Sequence, residues 1–122
     1  EFVKRYYYEH LNHKMPNSYG HAKDFFNTKL KDGEYNRDRN LIQYSNPSTS
    51  KPKVNDLIVF GATPYNSFGH VAIVSKVSDN RIEIIQQNPG KYGKSRATFE
   101  LVKTNSKWRI ISSSVLGRLR KQ

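Results

Sequence analysis

The chain has 122 residues, 35% of them hydrophobic, and no cysteine. That length suits one domain around one core, and the missing thiol excludes disulfides, thiolate metal sites and thiol catalysis by these residues alone. Lys and Arg outnumber Asp and Glu by 21 to 10, a net charge of +11, which draws polyanions such as nucleic acid, anionic lipid or bacterial wall polymers, although a generally basic surface accounts for it equally.

No apolar run approaches the roughly 18 residues of a membrane span, and no charged-then-apolar leader stands at Glu1. Phe2, Val3, Tyr6, Tyr7, His10 and Leu11 recur at three- and four-residue spacing and predict an amphipathic helix over residues 2–14. Pro16 follows as a stop. A second helix is expected from Gly20 to Leu30, capped by Ser18, burying Phe25, Phe26 and Leu30 and ended by Asp32-Gly33. Residues 34–56 read as irregular, with one short strand at Leu41 to Tyr44.

From residue 57 the pattern becomes that of strands. Leu57 to Phe60 is an apolar run, and Val71 to Val77 and Arg81 to Gln87 flank a hairpin signal at Asp79-Asn80. Further strands are expected at Thr98 to Val102, Lys107 to Ile111 and Ser114 to Leu119. Helices followed by an antiparallel sheet define an α+β class, and no internal repeat or second domain is visible.

His70 follows Gly69 at the start of a strand, beside a Gly/Pro/Asn-rich segment, where an imidazole can exchange protons; it can equally be a hydrogen-bonded rim histidine. A catalytic His needs a partner for its second N–H, and Gln86, Gln87 and Asn88 close the next strand. A strict two-residue turn at Asp79-Asn80 pairs residues whose numbers sum to 159 and puts His70 on the face of Gln87. One extra loop or bulge residue gives 160 and puts it with Gln86 and Asn88. Sequence leaves the two registers open. His10 and His13, three apart, lack a third ligand at a recognisable spacing, so no metal site is expected. Two of Tyr6, Tyr7 and Tyr8 are expected to help form the core rather than a base-stacking platform.

Taken together, these segments resemble the CHAP domain, the cysteine- and histidine-dependent amidohydrolase/peptidase family of the papain-like superfamily. The opening residues 1–7 resemble its first helix. Val54 to Phe60 is similar to its strand after a Gly-Asp turn, with Asn55 where Gly is usual. Gly69-His70-Val71-Ala72-Ile73-Val74 is close to its Gly-His-Val-Ala-Ile-Val signature, Gln86-Gln87-Asn88 resembles its Glu-Gln-Asn, and Val115 to Arg120 is similar to its last strand. Glutathionylspermidine amidases, a close branch, share these features.

The resemblance implies that His70 is the general base, that Gln86 stands for the Glu orienting it, and that Asn88 is a polar neighbour; it favours the 160 register. It implies two N-terminal helices on an antiparallel sheet, and a nucleophilic Cys two residues before Glu1, where the helix N-terminus and an imidazolium lower a thiol pKa. Residues 1–122 are then one CHAP-like domain lacking its extreme N-terminal segment. Ser67 and Ser75 have no motif placing them at His70 as a substitute nucleophile. The implied function is hydrolysis of an amide bond in peptidoglycan, without metal or organic cofactor, by a monomer that is secreted or wall-associated, a cytoplasmic location remaining compatible. The alternatives are an amidase on a glutathionylspermidine-like conjugate and an inactive module binding the wall or a protein; nucleic acid is supported by charge alone.

Overall fold

The computed structural model describes residues 2–15, 22–64, 67–87 and 94–122. Helix α1 spans Phe2–Leu11 and a 3₁₀ turn spans Ala22–Phe25. The strands are β1 (Glu34–Asn36), β2 (Leu41–Ser45), β3 (Leu57–Phe60), β4 (His70–Val77), β5 (Arg81–Gln87), β6 (Lys94–Thr104), β7 (Lys107–Ile110) and β8 (Val115–Arg120). They form one antiparallel sheet in the order β1-β2-β8-β3-β4-β5-β6-β7.

The sheet outweighs the helices more than the α+β expectation allowed. Helix α1 ends at Leu11 rather than residue 14, because Asn12 turns left-handed at φ 51° and the His13 amide bonds back to Tyr7 O at 3.0 Å. Asn tolerates that conformation better than most residues. The second helix, expected from Gly20 to Leu30, is only the 3₁₀ turn among the described residues; Ser18, its expected cap, and Gly20 lie outside them. Asn27 leaves the turn because its N–H and C=O are bonded instead by the Gln43 side-chain amide, at 3.0 and 2.8 Å. Residues 34–56 hold two strands rather than one, and β6 is longer than the Thr98 to Val102 segment expected.

Each face of the sheet carries its own core. Val3, Tyr7, Met15 and Phe25 cover one face over Leu57, Val59, Ile73 and Leu119, with Tyr6 packed against them. Tyr7 and Tyr6 thus serve the core and Tyr8 stays exposed. On the other face Ile58, Phe60, Ala72, Val74, Ile82 and Ile84 pack with Leu101 and Ile110. The sheet curls over this second face. Strand β7 reaches back to the segment after β2, where Ser48 and Trp108 exchange backbone hydrogen bonds at 3.0 and 2.7 Å and Asn46 bonds both N and O of Ile110. Because β3 is covered on both sides, its four residues are all buried, which is why its sequence is an unbroken apolar run.

Candidate active site

His70 opens β4 and sits opposite Phe60 of β3. The face it shares with β5 depends on the β4–β5 register. Val77↔Ile82 and Lys76↔Glu83 sum to 159, as a two-residue turn at Asp79-Asn80 dictates. Beyond them Val74↔Ile84 and Ile73↔Ile85 sum to 158. The odd residue is Ser75, bulged out of β4, with its hydroxyl donating to Glu83 Oε1 at 2.7 Å. The resemblance favoured a sum of 160, from one extra loop or bulge residue. A bulge in β4 lowers it instead, but 158 is also even, so His70 shares a face with Gln86.

On that face His70 Nε2–H donates to Gln86 Oε1 at 2.7 Å. A Gln oxygen can only accept, so the proton resides on Nε2 and the lone pair of Nδ1 is left to take a proton. The Phe60 ring lies 5.5 Å from the imidazole at 38°, and Phe99 backs Phe60 at 5.9 Å. Aromatic packing on one side and an amide at one nitrogen hold the half-buried ring in one orientation. Sequence reasoning missed Phe60; its place in the apolar run before the His-bearing strand was the available signal.

The approach to His70 is fixed by Gly69, at φ 79°. Lys23 N donates to Phe68 O at 2.9 Å, which brings the 3₁₀ turn against residue 69. Asn55 stands where a Gly was expected by resemblance, and its φ of 78° gives the reason: the turn into β3 needs a left-handed residue, which Asn can supply. Asn88 lies outside the described residues. Ser75 is committed to Glu83, and Ser67 is exposed in the segment before Gly69. His10 and His13 do not share a helix face, because α1 ends between them; His13 is buried with Nε2 at 3.0 Å from Arg39 O, and His10 is exposed beside the Tyr6 ring. Among the described residues no group of three His, Cys, Asp or Glu gathers to hold a metal.

A second polar centre lies at the far end of the sheet. Asp56 is fully buried and accepts from Arg118 Nη1 at 2.9 Å, Arg120 Nε at 2.6 Å, Arg120 Nη2 at 2.8 Å and Lys53 N at 2.9 Å. Burial pushes the Arg118 pKa down, with Asp56 opposing. Burial also works against the Arg120 charge, but its bonds to Asp56 win and hold it above the ordinary value. Tyr44 lies under both guanidiniums, at 5.0 and 4.6 Å.

The CHAP domain family model matches residues 1–88, a span that includes α1, Gly69, His70 and Gln86. The chain therefore belongs to the CHAP domain family, a family of amidase- and peptidase-type hydrolases acting on peptidoglycan-like substrates. The matched span stops before β6, so the likeness of Val115 to Arg120 to the family's last strand lies outside it. The chain is also similar to a glutathionylspermidine synthase of Crithidia fasciculata, 39% identical over 51 residues, which is 41% of this chain and 7% of that protein. No helix among the described residues is long and apolar enough to cross a membrane.

Proposed function

We propose that residues 1–122 form one catalytic domain, and that a form of the protein with a Cys two residues before Glu1 hydrolyses an amide bond of bacterial peptidoglycan. The observation carrying this is the His70–Gln86 hydrogen bond, which leaves Nδ1 free as a base. The position of α1 supports it. Tyr6 OH donates to Asn55 Oδ1 at 2.7 Å, Tyr7 OH donates to Asn55 O, and Lys121 Nζ donates to Leu11 O. These bonds tether the C-terminal end of α1 beside Val74, whose N–H and C=O pair with Asp56 and Asn55. Helix α1 contacts β4, and in this reading its positive N-terminal end faces His70.

In this mechanism Nδ1 takes the thiol proton, the thiolate attacks the scissile carbonyl, and the imidazolium returns the proton to the leaving amine. Water, deprotonated by the same nitrogen, then hydrolyses the thioester. Gln86 holds the ring, with Asn88 as its polar neighbour. A neutral amide supports the imidazolium less than a carboxylate does. The protein acts as a monomer, secreted or held at the wall, whose anionic polymers suit its charge of +11. The similarity to a glutathionylspermidine synthase favours a second reading, an amidase on a small peptide–polyamine conjugate.

The test is product release from purified peptidoglycan, and from glutathionylspermidine, by the Cys-bearing form. Release from peptidoglycan is expected, falling about 10²–10⁴-fold in His70→Ala and roughly five- to tenfold in Gln86→Ala, with Gln86→Glu faster than the parent. Release from the small conjugate alone selects the second reading. A folded Cys-bearing form that cleaves neither substrate sinks both and leaves a binding module.

A further inference from the structure

The end of the sheet opposite His70 carries a feature that thiol hydrolysis does not use. The end of α1, the turn before β3 and the end of β8 enclose a cavity of about 300 Å³. Leu11 and Val54 give it an apolar wall, and Lys53, Arg120 and Lys121 a cationic one. Asp56 is its only carboxylate among the described residues, and that charge is committed to Arg118 and Arg120. Three cations line it against one anion, a surplus of two charges. The carbonyl end of α1 offsets roughly half a charge, and Lys121 already donates to Leu11 O there.

We infer that this cavity binds a phosphate group carried on a polyol or sugar chain. Arg120 has spent most of its planar fork on Asp56, Ser50 Oγ and Lys51 O, so bidentate carboxylate recognition is not what remains. What remains is chiefly the two ammonium groups of Lys53 and Lys121, point charges suited to phosphate oxygens. No aromatic ring lines the cavity among the described residues, so a nucleobase has nothing to stack on. The Leu11–Val54 wall suits the carbons of a polyol, and Val54 is 52% exposed. Asp56 pairs with Val74, four residues and roughly 13 Å along β4 from the His70 backbone. The inference does not depend on the hydrolase reading and is tested on this chain without turnover.

The experiment titrates ¹⁵N-labelled protein with glycerol 3-phosphate at ionic strength held constant with sodium chloride, following amide shifts. Saturable shifts are expected at Asn55, Asp56 and Lys121, weakened at least tenfold in the double variant Lys53→Gln/Lys121→Gln, whose remaining spectrum confirms its fold. Inorganic phosphate is expected to shift the same amides but more weakly, because it lacks the carbon chain; equal affinity would overturn the polyol part. Shifts that never saturate, spread over the basic surface, or survive the double substitution would overturn the site. So would tighter binding of a single-stranded oligonucleotide at the same amides.

Discussion

A β-carbon on Gly69 would lie 2.6 Å from Phe60 O and 2.7 Å from Lys23 Cβ, and the residue also needs a φ of 79°. Both constraints act one residue before His70. Gly69→Ala should therefore destabilise the chain by about 2–4 kcal/mol, combining left-handed strain with overlap against backbone. Urea unfolding measures this, and a loss below 0.5 kcal/mol would mean that the 3₁₀ turn moves aside freely. Asn55 meets the same backbone requirement with a side chain that also accepts from Tyr6 OH. The sequence exposed Gly69 and His70 through their order and spacing. It did not expose why Gly is needed, because Lys23, which crowds position 69, is 46 residues away in the chain.

At the scale of elements, the bulge in β4 decides what His70 meets. Ser75 leaves the ladder and its hydroxyl joins Arg96 Nη1 on Glu83 Oε1, at 2.7 and 2.8 Å. The Ser75 hydrogen bond first, then Arg96 with Lys76, holds the Glu83 carboxyl below the ordinary glutamate range. A depressed carboxyl pKa contributes stability that is complete above the unfolded value and is lost as pH falls through the folded one. The ordinary value is about 4.3, so this contribution should be present at neutral pH and fade below about pH 4. Glu83→Gln should flatten that part of the stability–pH curve, read by chemical denaturation in steps from pH 6 to pH 3. An unchanged slope would detach Glu83 from the acid sensitivity. The apolar run placed β3 and the hairpin signal placed β4 and β5, but a bulge leaves almost no local signature. Its residue is an ordinary Ser whose hydroxyl is satisfied only across the hairpin.

Across the whole molecule, the last strand is central. β8 lies between β2 and β3, and through it Arg118 and Arg120 reach Asp56, residues 62 and 64 positions apart in sequence. The same guanidiniums bond Ser50 and Lys51, fastening residues 50–56 to the sheet. Asp56→Asn leaves two positive groups without their counter-charge, and removing one partner of a buried pair costs about 3–5 kcal/mol. That loss is measured by thermal or denaturant unfolding. A variant as stable as the parent would show that Ser50, Lys51 and Tyr44 suffice to hold the two arginines.

The choice of Gln86 over Gln87 came from the resemblance to the CHAP family; the amino-acid sequence by itself determined the first helix, the order of the principal strands and the strand start that carries His70. Each of these is written in near-neighbour spacing and backbone preference. It also determined that no thiol chemistry can come from these residues alone, since cysteine is absent. Only the tertiary structure decided that the expected second helix is a single turn among the described residues, where Gln43 captures the backbone of Asn27. It also decided that the odd residue is Ser75, a bulge in β4, and that β6 and β7 close over the second core. These outcomes rest on hydrogen bonds and burial between segments far apart in the chain, which no local pattern encodes.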